Sequence, residues 1–221
     1  DFEDLPQHVR EEIYRLHLTH DEVIDWSKHR EYCAPTTLQI DSIWLPPLLR
    51  VSSTIYQEAA PFYFSNNAFG ATSNGDTVSA VVYDLKLRDC KLIRKCHIHW
   101  DHNTTGAGYD FKVINRLKEL HELYIHVDEK QMVKRMLKNR SRHARFAWNG
   151  GDPTPQQNLL ILQFPGMAAL LRLGPIAKVQ FVENFPYAHS TQRGGPIPGG
   201  VLETQVAPKL MGQVAVPTEL Q

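Results

Sequence analysis

The feature that most constrains this sequence is the stretch from Leu48 to Phe69, where apolar side chains recur at the three-and-four spacing of a helix buried along one face. The members of this predicted stripe are Leu48, Val51, the small Ser52, Ile55, Tyr56, Ala59 and Phe62. Pro46 and Pro47 are tolerated in the first turn of this helix, and Pro61 predicts a kink or a restart within it. The helix is expected to end at residues 65–67. Such a helix needs a partner that covers its apolar face.

The best candidate partner is a second predicted helix, from Leu5 to Leu18. Asp4 suits its N-cap, with Pro6 in the first turn and Gln7 closing a capping box. The predicted apolar stripe is formed by Leu5, Val9, Ile13 and Leu16, with Tyr14 at its border. The outward face is expected to carry Arg10, Glu11 and Glu12.

The composition is that of an ordinary soluble globular protein, with 42% hydrophobic and 22% charged residues among 221. The 24 basic and 24 acidic residues balance, so any nucleic-acid or membrane contact would need a local patch. No apolar run approaches the roughly 18–20 residues of a transmembrane helix, which predicts no membrane partner. Three cysteines without CxxC spacing predict reduced thiols and a cytoplasmic or nuclear location.

Two segments, residues 96–100 and 123–127, alternate between apolar and polar side chains in the manner of half-buried strands. In the first, His97 and His99 are expected to face away from the apolar side. A helix is predicted between the two strands at 109–120, which implies parallel strands joined by a right-handed crossover. Their equivalent positions lie 27 residues apart, and the unit resembles one repeat of a leucine-rich-type array, whose period is about 20 to 29 residues.

A third strand candidate is Lys178–Val182, with Val179 as the position equivalent to Ile125. Before it, the pattern predicts a helix over 129–146 and a helix over 156–173 that is broken at Pro165 and Gly166. The inward side chains of the first of these are Met132, Val133, Met136 and Leu137.

Together these elements predict an α/β protein with three parts. Residues 1–70 form a helical module with an insertion loop at about 20–45, and residues 71–189 form a strand–helix, leucine-rich-repeat-like domain. Residues 190–221 form a Pro/Gly-rich extended tail, because the glycines and prolines between 194 and 200 disfavour regular structure.

The N-terminal helices carry two ordered runs of residues: Asp4-Leu5-Pro6, Val9-Arg10 and Ile13-Tyr14, then Leu48–Ser52, Ile55–Ala59 and Phe62-Tyr63-x-x-Asn66-Asn67-x-Phe69. Over roughly residues 2 to 70 these runs resemble the F-box-like opening of a large group of filamentous-fungal proteins. The pattern of that group reads LPxEIRxxIY, a variable insert, and LLxVCRQIYxEAxPxFYxxNxF. Ser52 stands where many members have Cys, and Gln7-His8 replace Pro-Glu.

The resemblance implies helices that bind the Skp-type adaptor of a cullin-type ubiquitin ligase, while the following part recruits a substrate. The protein-binding residues that it implies are Leu5, Pro6, Val9, Ile13, Tyr14, Leu49 and Val51. The alternative is a helical hairpin that only caps the domain after it.

Histidines form the densest candidate for chemistry: His97, His99, Asp101 and His102, with His121 and His126 on neighbouring segments. Two histidines at i and i+2 on a strand share a face, which is a start for a zinc site, but no carboxylate or cysteine stands at a spacing that completes the ligand set. The polar face of a half-buried sheet is the favoured interpretation. The sequence has no GxSxG motif and no phosphate-binding glycine loop, so we predict no enzyme, no metal and no cofactor.

Seven basic residues and no acidic one lie between 130 and 145. The predicted basic patch comprises Lys130, Lys134, Arg135, Lys138, Arg142 and Arg145. A solvated helix face, an acidic protein partner and a nucleic-acid backbone all fit this pattern. Together with the absence of catalytic motifs, the resemblance implies a non-enzymatic adaptor, a substrate-recruiting subunit of a cullin-type ubiquitin ligase. The alternatives are a scaffold subunit of a nuclear or chromatin-associated complex and a nucleic-acid binder.

Overall fold

A computed structural model describes residues 2–25, 45–70, 90–100, 111, 114–143, 154–164, 166–183 and 200–212, without the side chains of Asp25, His99, 139–143 and Glu183. These residues form a mixed α/β fold. Its strands are β1 (Ile24–Asp25), β2 (Ala68–Gly70), β3 (Lys95–Trp100), β4 (Glu122–Val127) and β5 (Lys178–Glu183). Its longer helices are α1 (Gln7–Leu18), α2 (Ser53–Asn66) and α3 (Glu129–His143).

The five strands form one parallel sheet whose spatial order follows the chain, β1-β2-β3-β4-β5. When every crossover is right-handed, such an order places all connections on the same side of the sheet. The burial of the strand residues agrees with connections on one side of the sheet. One face of the sheet carries the core side chains Phe69, Cys96, Ile98, Leu123, Ile125, Val179 and Phe181. The opposite face carries polar side chains that are mostly half-buried.

The predicted pairing of the central strands is confirmed, because Ile98 lies opposite Ile125. The third strand is also present, but the predicted alignment is wrong: Phe181, not Val179, lies opposite Ile125. The first two strands were not predicted. They contain two and three residues, which is too few for an alternating pattern to be recognised.

The first helix ends at Leu18 as expected, but its buried face is rotated from the predicted stripe. Tyr14 and Leu18 are the fully buried residues, whereas Leu16 is 65% exposed. The predicted capping box is wrong as well. A 3₁₀ turn covers Phe2–Asp4, Pro6 occupies the N-cap position, and no side chain caps the helix.

The second helix is shorter than predicted. A 3₁₀ turn covers Pro47–Arg50, and α2 begins at Ser53 because the Ser52 hydroxyl accepts the N–H of Ile55. The helix runs through Pro61 without a restart and ends at Asn66, as expected. The predicted burial of Val51 is wrong, since this side chain is 64% exposed.

The connection after β4 follows the predicted inward face of its helix. Met132 and Val133 of α3 are buried, and so are Phe111, Ile114 and Leu117 before β4. The predicted 109–120 helix gives way to turns after Ile114. The segment before β5 is broken as expected into α4 (Pro155–Asn158), a 3₁₀ turn (Leu159–Gln163) and α5 (Met167–Leu170), with Gly166 at φ +96°.

The predicted extended tail is wrong for residues 200–212. A π-helical turn (Leu202–Val206) continues into α6 (Ala207–Leu210), and Leu202, Val206, Ala207 and Leu210 are buried in the core. Glu129 anchors this segment by accepting the N–H groups of Val201 and Leu202 at 3.1 and 2.9 Å. Glu203 accepts the outward N–H of Phe181 at 3.0 Å, so the edge of the sheet is partly closed.

Candidate interaction surfaces

Three polar side chains join α1 to α2. The guanidinium of Arg10 donates from Nε and Nη2 to the two carboxylate oxygens of Glu58, at 2.9 and 2.7 Å. The Tyr14 hydroxyl donates to Glu58 Oε2 at 2.9 Å. Arg10 also donates to the carbonyls of Leu5 and Glu3, at 2.5 and 3.2 Å, so the Leu-Pro turn is tied to the same group.

The electrostatics of this cluster favour its charged form. Hydrogen bonds from Arg10 and then Tyr14 lower the pKa of Glu58, and the bond to Glu58 raises the pKa of Arg10. Burial, followed by the hydrogen bond to Glu58, raises the pKa of Tyr14 to about 12. A bidentate guanidinium–carboxylate pair with a third donor fixes both the distance and the angle between two helices.

Asn67 links the C-terminal ends of α1 and α2 through hydrogen bonds. Its side chain is fully buried and donates to the carbonyls of Leu18 and Tyr63, at 2.5 and 2.7 Å. Its amide oxygen accepts the backbone N–H of His20 at 2.7 Å. One side chain thus satisfies orphan backbone groups at the ends of both helices just before β2 begins.

The most characteristic polar residues of the N-terminal pattern are therefore used inside the module. Two residues predicted to bind protein, Tyr14 and Leu49, are 0% and 2% exposed, so both lie in the core of the module. Leu5, Val9 and Ile13 are half-buried, whereas Pro6 and Val51 are exposed. We define the α1 surface as Leu5, Pro6, Val9, Ile13 and Leu16, the last of which the sequence assigned to the core.

A second surface lies on the side of the sheet opposite the core, and we call it the open face. It consists of side chains from β3, β4 and β5 that stand in register: Lys95–Glu122–Lys178, then His97–Tyr124–Gln180, then His126–Val182. The polar members are half-buried or exposed, and Val182 is buried. This register brings His97, Tyr124 and His126 together.

The first two rows are linked by hydrogen bonds around Tyr124. Its hydroxyl donates to Glu122 Oε2 at 2.6 Å and lies 2.6 Å from Lys178 Nζ, which donates to it. The Glu122 carboxylate also lies 3.4 Å from Lys178 and 3.7 Å from Lys95. The bond from Tyr124, more than the two ammonium groups, lowers the pKa of Glu122.

The histidines of the open face bind each other. His97 Nδ1 lies 3.0 Å from His126 Nε2, and the His97 ring stacks on Tyr124 with centroids 4.3 Å apart. Burial, followed by the proximity of His126, lowers the pKa of His97 to about 3, so the ring is neutral near pH 7. No group of three or more metal-binding side chains occurs among the described residues. Asp101 and His102 lie outside them.

The basic patch lies on α3, which packs on the core side of the sheet through Met132 and Val133. Lys130 and Lys138 are exposed, and Lys134 and Arg135 are half-buried. The Arg142 side chain and the whole of Arg145 lie outside the described residues. This patch is therefore separated by the sheet from the lysines of the open face.

Compared with known proteins, the chain matches no family model, no curated sequence and no solved structure. Within the described ranges, no helix has both the length and the apolar character needed to cross a membrane.

Proposed function

We propose that the chain is a non-enzymatic protein-interaction adaptor, a substrate-recruiting F-box-like subunit of a cullin-type ubiquitin ligase. The observation that carries the proposal is the open face, where polar side chains of three parallel strands stand in register while the described helices pack on the other side. Consecutive strand–helix units whose helices lie on one side of the sheet are typical of repeat proteins, which bind macromolecules across an extended surface.

The α1 surface is the proposed docking site for the Skp-type adaptor. Leu16 is 65% exposed, and Pro6 lies exposed at the start of the helix. Exposed leucines are common singly, but here Leu16 continues a line of half-buried Val9 and Ile13 on one helix. Behind this line, Arg10 and Tyr14 hold the helix rigidly against α2, which reduces the entropy lost on binding.

The polar groups of the open face support recognition rather than catalysis. Glu122 accepts a hydrogen bond from Tyr124 and contacts two lysines, and His97 is bonded to His126. A general base needs a lone pair directed at a substrate, with a pKa near the working pH. The lowered pKa values of Glu122 and His97 fit a pre-ordered binding surface better.

The test is affinity purification followed by mass spectrometry, with the wild type, Leu16→Glu and a matched control, Leu171→Glu. Leu171 is an exposed leucine after α5, 43% exposed and outside the α1 surface. We expect adaptor and cullin peptides with the wild type and the control, and their loss with Leu16→Glu. Recovery of a nuclear complex without adaptor peptides would favour the scaffold alternative, and recovery of nucleic acid would favour a role for the basic patch.

A further inference from the structure

We infer that the open face binds an extended acidic segment of the recruited protein, with carboxylates placed against Lys95 and Lys178. This inference rests on the proposed function, since it names the chemistry of the partner at the same surface. It follows from three observations: which charges reach the solvent, which hydrogen bonds are already made, and how far apart the two lysines stand.

The charge that reaches the solvent on the first row is positive. The side chains of Lys95 and Lys178 are 41% and 52% exposed, whereas the Glu122 side chain between them is 26% exposed. Among the described open-face side chains of β3, β4 and β5, Glu122 is the one carboxylate. An approaching partner therefore meets two ammonium groups before it meets the acid.

The single carboxylate is also engaged within the face. Glu122 Oε2 accepts the Tyr124 hydroxyl and contacts Lys178, while Oε1 contacts Lys95. An ammonium group has three N–H donors, and Glu122 cannot use all six donors of the two lysines. Lys178 is held over the Tyr124 ring, 4.9 Å from its centroid, so its position is fixed before binding. The remaining N–H donors of the two lysines can therefore bind additional carboxylates.

The spacing of the lysines favours an extended ligand. Lys95 and Lys178 lie opposite the same residue from its two sides, so two strand spacings of about 4.8 Å separate their backbones, roughly 9.6 Å. Their ammonium groups converge on the Glu122 carboxylate, at 3.7 and 3.4 Å, so they lie no farther apart than the backbones. A polyproline-type segment rises about 3.1 Å per residue, so acidic side chains three residues apart are about 9.3 Å apart. The favoured ligand thus carries Asp or Glu at positions i and i+3.

The direct probe is a fluorescein-labelled, proline-rich peptide with two glutamates three residues apart, measured by fluorescence anisotropy. We expect Lys95→Gln and Lys178→Gln each to weaken binding about two- to fivefold, which corresponds to an exposed ion pair, and the double variant to weaken it further. The matched control Lys118→Gln removes an exposed lysine in the turn before β4 and should leave the affinity unchanged. A peptide with glutamines in place of the glutamates should not bind.

Selection of peptides from a random display library on the wild-type protein tests the acidic-ligand inference separately from the proposed recruiting role of the open face. Acidic peptides that lose binding to the Lys95→Gln, Lys178→Gln double variant would support the inference. Peptides that are not acidic, yet compete with one another and are lost in Tyr124→Ala, would overturn the acidic partner and leave the open face as a binding surface. If no selected peptide depends on any open-face residue, both the inference and the proposed recruiting role of this face fail.

Discussion

The Arg10 guanidinium and the Glu58 carboxylate, 48 positions apart in the chain, bind each other through two hydrogen bonds of 2.9 and 2.7 Å. This pair, together with the Tyr14 hydroxyl on the same carboxylate, sets the angle at which the first two helices meet. The arginine, tyrosine and glutamate of the N-terminal pattern therefore have a structural role. The surface that remains for the proposed partner is the apolar line of Val9, Ile13 and Leu16 beside them.

The Arg10–Glu58 pair predicts a specific loss of stability in acid. Because the folded-state pKa of Glu58 is lowered, its contribution is present above the unfolded value of 4.5 and disappears as the pH falls through the folded value. Glu58→Gln should destabilise the protein at neutral pH and lose less stability than the wild type between about pH 6 and about pH 3. Urea unfolding across this range measures both effects, with exposed Glu119→Gln as the control. Parallel pH profiles of wild type and Glu58→Gln would contradict the assignment.

Asn67→Ala should destabilise the protein strongly. The substitution leaves two carbonyls and one N–H without their hydrogen bonds, at about 1 kcal/mol each, so we expect a loss of roughly 3 kcal/mol. Its exposed neighbour supplies the matched control, because Asn66→Ala should change the free energy of unfolding by less than about 0.5 kcal/mol. Equal effects of the two substitutions would show that the buried amide does not hold the helix ends.

Gly70→Ala should also destabilise, through a steric clash with a neighbouring strand. A Cβ atom at Gly70 would lie 2.8 Å from both the Cβ and the carbonyl oxygen of His97. The backbone cannot yield cheaply at that distance, and overpacking of this kind costs about 1–3 kcal/mol. At Gly174 nothing lies within 4 Å of the added atom, so Gly174→Ala should be nearly neutral. Thermal melts of both variants test this prediction. An unchanged melting temperature for Gly70→Ala would contradict it and would mean that β2 lies further from β3.

The central strands could be predicted because apolar and polar side chains alternate along each of them, and the 27-residue step aligned Ile98 with Ile125. The register of β5 could not be predicted in this way. Moving β5 by two residues keeps every side chain on its own face, so alternation cannot distinguish Val179 from Phe181 opposite Ile125. That shift also decides whether Lys178 stands beside Tyr124 or beside Glu122, which is why the open-face network was not foreseen.

The rotation of the first helix has a similar origin. The hydropathy pattern predicts that Arg10 is solvent-exposed and that Leu16 is buried. It contains no information about Glu58, the partner of Arg10 that lies 48 positions away in the chain. The C-terminal helix was missed for another reason. Leu202, Val206 and Leu210 have helical spacing, but the preceding glycines and prolines dominated the prediction, and the anchors Glu129 and Glu203 can be recognised only in three dimensions.

The most direct test of the adaptor account is isothermal titration calorimetry of the purified chain with a purified Skp-type adaptor. The account predicts a one-to-one complex with micromolar or tighter affinity, abolished by Leu16→Glu and retained by Leu171→Glu, with unchanged melting temperatures for both variants because each leucine is exposed. Absence of binding at about 100 µM protein, near −5.5 kcal/mol of binding free energy, would contradict it. So would binding of equal strength by the wild type and Leu16→Glu.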